Sequence, residues 1–184
     1  MKVLHLIPAL GPHSGGVGTG PLAAARAQRE AGIDASVWCA DTRAVASRSA
    51  QDVEVMTFPV FGPRRFAFSC AAERCGRSVA ADIVHQHGLW TAQGRITAVL
   101  RDRGLPTVVA PHGMLARVAL DRAPWKKRAA LAWFERRNLE LASCLHATAA
   151  DEQLAFREGS CSVKAILRAR CRCRIKGNGC EVSS

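Results

Sequence analysis

Short apolar runs of strand length alternate along this chain with segments whose apolar residues recur at helical spacing. The pattern predicts strands at Val3–Ile7, Ala35–Cys39, Val53–Phe58, Ile83–Gln86, Thr107–Ala110 and near Cys144–Thr148. It predicts helices from about Thr19 to Ala31, around Ser69–Ala80, near Thr91–Arg103, from about Pro124 to Leu141, and from Asp151 onward. Parallel strands need crossover connections, and repeated β–α alternation with short links, some carrying glycine (Gly32, Gly104), supplies them. The fold class expected is therefore α/β, a Rossmann-like parallel sheet with helices on both faces. After Glu158 no apolar period survives, so residues 1–158 read as one ordered domain and 159–184 as an irregular, basic, Cys-rich tail expected to be disordered.

Composition narrows this reading. With 184 residues and 48% apolar content the chain can bury one sizeable core and has no room for a second full domain. The tail holds four of the eight cysteines and six of the 26 basic residues against a single acid, Glu181. A formal net charge of +11 suits an acidic partner such as phosphate, anionic lipid or nucleic acid, without choosing among them. The basic-then-apolar start, Met1 to Leu10, lacks the length and the small-residue cleavage site of a secretory leader and leads into a glycine loop, so it reads as a buried first strand. No stretch approaches the roughly 18 apolar residues of a membrane span. A cytoplasmic location with reduced cysteines is expected, and Cys39, Cys70, Cys75 and Cys144 are expected to pack as small hydrophobes.

In a parallel sheet of this kind ligands bind beyond the carboxyl ends of the strands. The first such segment runs from Pro8 to Gly20 and contains Gly11, Gly15, Gly16 and Gly18 before a helix expected to begin near Thr19 or Pro21. Its glycines allow close approach, and the free N–H groups of a helix start favour an anion such as a phosphate. A dinucleotide fingerprint competes, since Gly16-x-Gly18 is present and Asp41 follows the second strand. Against it, Pro21 stands where the third glycine belongs, and the loop is too long for the tight turn. The second segment is D-I-V-H-Q-H-G-L-W, residues 82–90, where alternation puts Ile83, His85 and His87 on one face. No carboxylate or cysteine at supporting spacing completes a metal set there, so no metal is assigned. One packed, hydrogen-bonded histidine beside one functional histidine is expected. The third is T-V-V-A-P-H-G-M-L, residues 107–115, a buried strand that stops at Pro111 and presents His112, with Gly113 letting a ligand come close.

Together these segments resemble the N-terminal domain of family 4 glycosyltransferases, retaining enzymes of the two-domain GT-B fold. Trp125-Lys126-Lys127, Phe134 to Leu139 (F-E-R-R-N-L) and His146-Ala147-Thr148 extend the resemblance, toward the branch that builds bacterial surface polysaccharides. It runs from Lys2 to about Glu158. It implies transfer of a hexose from a nucleotide sugar to a lipid-linked or polysaccharide acceptor, with no cofactor. By the same resemblance His112 stands at the reacting centre, Gly15, Gly16 and Gly18 line the cleft near the donor diphosphate and acceptor, and His87 lies toward the acceptor. One departure is Ala149, which replaces a serine hydroxyl that would cap the next helix. The donor-binding half is echoed only by Gly177 to Val182, so the sequence is expected to be a truncated first half, inactive alone. The other readings are a nicotinamide-binding Rossmann protein and a binding module without catalysis.

On the helix from Pro124, a stripe of Leu131, Phe134 and Leu141 is expected to face the core, with Trp133 beside Lys126, Arg136 and Arg137. An aromatic among cations suits an anionic membrane surface, and a solvated basic face is the alternative. In the tail, Cys171-x-Cys173 with Cys161 and Cys180 lacks the usual C-x2-C spacing of zinc sites. Its basic run lacks the interleaved aromatics of a single-strand binder, so no specific nucleic acid is expected.

Overall fold

The computed structural model describes residues 1–10, 16–40, 52–122, 124–158, 174–176 and 179–181. Its elements are β1 (Lys2–Ile7), α1 (Gly16–Glu30), β2 (Asp34–Cys39), β3 (Glu54–Thr57), α2 (Cys70–Gly76), β4 (Ile83–His87), α3 (Gln93–Asp102), β5 (Thr107–Ala110), α4 (Arg117–Leu120), α5 (Pro124–Ala130), α6 (Arg136–Glu140), β6 (Cys144–Leu145) and α7 (Ala150–Glu158). Two three-residue strands, β7 (Arg174–Lys176) and β8 (Gly179–Glu181), pair antiparallel. The rest of the tail, with its expected disorder, and the expected sites at Gly15 and Asp41 lie outside the described residues.

Six strands form a parallel sheet in the order β3-β2-β1-β4-β5-β6. The α/β expectation holds. Because β1 is central, nearly all of it is buried, and its alternate residues feed two cores. On one face Leu4 and Leu6 join Val84 with Ile96 and Leu100 of α3. On the other Ile7 joins Ala35, Val37 and Cys39 with Leu22 and Ala25 of α1. A third cluster packs Leu139 of α6 with Val109, Leu145, Leu89 and Leu115. The order reverses direction between β1 and β4, where His5 lies directly opposite His85. This switch point is where such sheets open a ligand crevice.

Several expectations are corrected. Helix α1 begins at Gly16, so Pro21 sits inside it rather than at its start. Glycine is a poor helix former, but Gly18 is buried and Val17 packs where any side chain on Gly88 would stand, so tertiary contact overrides propensity. Helix α2 buries only Ala72 and Gly76, which turns Cys70 and Cys75 to solvent; Cys39 alone of the four expected small hydrophobes is fully buried. The long helix after Pro124 is interrupted by a π turn at Leu131–Glu135 between α5 and α6. Its buried residues are Glu135, Asn138 and Leu139, while Leu141, expected in the core, caps α6 and is 48% exposed. The helix ends at Glu140, so Leu141 no longer follows the helical stripe.

Candidate functional site

The carboxyl edge of the sheet gathers the three segments expected to carry chemistry. Gly88, just past β4, has a left-handed backbone (φ +80°), and a Cβ there would stand 3.2 Å from Val17 at the start of α1 and 3.3 Å from the Met114 methyl. Any side chain here would be strained by the backbone and would push on both neighbours, which favours glycine. Its N–H donates to the Ala110 carbonyl at 2.8 Å, tying the turn after β4 to the end of β5. Beyond β5, His112 (φ +53°) and Gly113 (φ +76°) are both left-handed, an unfavourable state for histidine that the surroundings must hold. Among the described residues, apart from its chain neighbours, no atom lies within 4 Å of where a Gly113 side chain would project. The same holds, among the described residues, for a side chain on Gly16 at the α1 start.

Glu152 supplies the hold. One carboxylate oxygen accepts from the Gly113 N–H at 2.8 Å, and the other accepts from the Thr148 N–H at 2.9 Å and hydroxyl at 3.0 Å. Glu152, in the first turn of α7, thus ties the helix start back to Thr148. The same carboxylate pins the turn that carries His112.

Five of the six histidines of the chain cluster at the switch point. From the core outward, His5 Nε2 meets Gln28 Oε1 at 2.8 Å, His5 Nδ1 meets His87 Nε2 at 2.9 Å, and His87 Nδ1 meets His112 Nε2 at 2.9 Å. To the side, His85 Nε2 meets His146 Nδ1 at 3.2 Å, and the His85 and His87 rings lie 4.1 Å apart. Burial lowers the pKa of His5, outweighing the Gln28 bond, and lowers that of His87, with His85 and His5 adding to it. For His85 burial, then the neighbouring imidazoles, bring it to about 3. His112 is also lowered by burial, with Glu152 opposing. Neutral imidazole carries one donor and one acceptor, so the chain has a direction. Gln28 Oε1 can only accept; His5 therefore carries its proton on Nε2, His87 on Nε2, and His112 on Nε2. In this direction His112 Nδ1 is the nitrogen that keeps the lone pair.

His112 is half-buried at the open end of this chain, whereas His87 is 3% exposed and lies behind it. Of the two histidines in residues 82–90, where one packed and one functional ring were expected, His87 is the buried one and His85 is partly exposed. Sequence reasoning missed His5, Gln28 and Glu152. His5 had a signal, since it sits inside an otherwise apolar strand, but its partner lies 82 positions away.

A second buried network braces the turn after β4. The Trp90 N–H, on a left-handed residue (φ +65°), donates to Glu135 Oε1 at 2.7 Å. Asn138 Nδ2 reaches Glu135 Oε2 at 3.3 Å and Gln86 Oε1 at 3.0 Å, and the Thr97 hydroxyl donates to that same Gln86 oxygen at 2.7 Å. Burial of Glu135 raises its pKa to about 7, against the opposing bonds from Trp90 and Asn138. Away from the site, Trp125 and Trp133 are 70% and 85% exposed, with Lys126 over the Trp125 ring and Arg136 and Arg137 at the surface. Among the described residues no helix is long and apolar enough to cross a membrane.

Comparison with known proteins adds one match. A family model described as a glycosyl transferase 4-like domain covers residues 15–164. No curated protein matches the sequence.

Proposed function

Because the chain belongs to the glycosyl transferase 4-like family, we propose that the His112 edge is the acceptor side of a retaining hexose transfer from a nucleotide sugar to a lipid-linked or polysaccharide acceptor. The observation that supports it most is the histidine chain from Gln28, which ends on the half-buried His112 and leaves its Nδ1 the lone pair. A lone pair there accepts from a sugar hydroxyl, and the absence of crowding described atoms beside Gly113 leaves room for the ring that bears it. The start of α1 at Gly16 and Gly18 suits a diphosphate, since the N-terminal end of a helix and its dipole favour an anion. His87 contributes by orienting His112. Surface polysaccharide assembly at the inner face of a bacterial plasma membrane is the setting that suits these chemistries. Trp133 with Lys126, Arg136 and Arg137 would then meet anionic headgroups, the ring buried at the interface and the cations beside it.

The test is titration of nucleoside diphosphate hexoses and of a lipid-linked saccharide, followed by NMR. Saccharide should move the His112 ring and the Gly113 amide, and the diphosphate the Gly16 amide. His112→Ala should weaken saccharide binding about tenfold, the scale of one hydrogen bond, in a protein that still folds. Shifts confined to other parts of the sheet, or unchanged affinity, overturn the reading.

A further inference from the structure

The three innermost histidines form a set that a hydrogen-bond chain alone does not require. One ring nitrogen of each of His5, His85 and His87 lies within 4.8 Å of the others. They stand on paired central strands, with His5 directly opposite His85 and His87 two positions along the same face of β4. Each has its other nitrogen held outward: His5 Nε2 by Gln28 Oε1, His87 Nδ1 by His112 Nε2, and His85 Nε2 by His146 Nδ1. That leaves His5 Nδ1, His87 Nε2 and His85 Nδ1 as the ligating atoms. Histidines that bind metals characteristically anchor their far nitrogen in this way, which fixes ring orientation and tautomer.

We propose that His5, His85 and His87 bind a divalent late first-row transition ion, Zn2+ in the first instance, directly beneath His112. A tetrahedral ion with Zn–N bonds of about 2.1 Å sets its nitrogens about 3.4 Å apart. His5 Nδ1 and His87 Nε2, at 2.9 Å, are already that close, and His85, the half-buried member, is the ring that must turn inward. Three imidazoles without a carboxylate or thiolate select a nitrogen-seeking ion over Mg2+ or Ca2+. The set leaves the ion its full charge and a fourth position for water or an anionic oxygen. The third ligand, His5, comes from a different strand, which is why residues 82–90 alone do not disclose the site.

Binding has a signature independent of sugar transfer. Without metal the His87 proton is on Nε2, pointing at His5. With metal that nitrogen must ligate, so the proton moves to His87 Nδ1 and donates to His112 Nε2. The His112 proton then moves to Nδ1. No proton is released on balance; two rings exchange tautomers, and His112 Nδ1 becomes an N–H donor where it had a lone pair.

The experiment uses the full chain with Cys161, Cys171, Cys173 and Cys180 replaced by serine, so that thiolates do not compete. It is stripped with chelator and titrated with Zn2+ by calorimetry and by nitrogen-15 spectra of the histidine rings. One equivalent should bind, the His87 and His112 tautomers should exchange, and Zn2+ should raise Tm. Gln28→Leu should weaken binding about 10- to 100-fold, the usual cost of losing a ligand's outer anchor. His85→Ala should abolish both the binding and the Tm rise, and its circular dichroism and metal-free Tm show whether it folds. Absence of saturable binding, equal affinity in the His85→Ala protein, or ring spectra unchanged by Zn2+ would each overturn the proposal.

Discussion

Glu135 gives this fold a pH dependence that can be calculated and tested. The side chain is fully buried and titrates near 7, whereas in the unfolded chain it titrates near its ordinary 4.5. The folded state therefore binds the proton more tightly, and stability that is complete below about pH 4.5 is lost as pH rises through 7. At about 1.4 kcal/mol per pH unit, the gap between 4.5 and about 7 amounts to roughly 3 kcal/mol. Glu135→Gln removes the titration while keeping a carbonyl to accept the Trp90 N–H. It also turns an amide toward Asn138 Nδ2, a constant penalty of about 1 kcal/mol. The two stability curves must then cross. In urea unfolding the wild type should be the more stable protein near pH 4, and the glutamine variant the more stable by about 2 kcal/mol near pH 8. The buried histidines slope the other way, which is why the difference between the two proteins is the quantity to plot. A difference that stays flat from pH 4 to pH 8 would show that Glu135 is not held protonated by burial, and the account of the β4 turn would fail with it.

Three further outcomes follow from the site geometry. Gly113→Ala forces a left-handed alanine at φ +76° and should cost about 1 kcal/mol in chemical denaturation, although no described atom crowds it. Glu152→Ala removes the acceptor for the Gly113 N–H and for Thr148, so it should lower stability by about 1–3 kcal/mol and broaden the His112 ring resonances. Unchanged resonances would show that the carboxylate does not hold that turn. Binding to vesicles of anionic phospholipid should fall steeply between low and physiological salt and be lost on replacing Trp133, Lys126, Arg136 and Arg137; persistence after that replacement would move the contact elsewhere.

The sheet was legible because its strands are buried on both faces and stand out as apolar runs bounded by turns. Thr107–Ala110 falls at the expected bounds, and β4 runs one residue further than expected, to His87. The edge strands shrank, β3 to Glu54–Thr57 and β6 to Cys144–Leu145, since one-sided pairing stabilises fewer residues. Of the site, His112 and Gly113 after β5 and the shared strand face of His85 and His87 could be read from local motifs. His5, Gln28 and Glu152 could not, because each acts across more than 20 positions of chain and only the sheet order brings them together. The π turn also escaped: helical periodicity placed Leu141 inside and gave no reason to bury Glu135 or Asn138, whose cost is met by partners on β4 and α3.

The central position of β1 has a consequence during synthesis. It is the first strand made, and it finds β2 as soon as residue 39 is available, but its other edge waits for β4, complete only at His87. At about 5–20 residues per second the ribosome takes several seconds to add those residues. For that interval a nascent β1–β2 pair offers an apolar strand with an unfilled edge and a histidine, His5, whose imidazole partners do not yet exist. A chaperone that shields this edge should raise the yield of folded protein, and a pause in translation that prolongs its exposure should lower it.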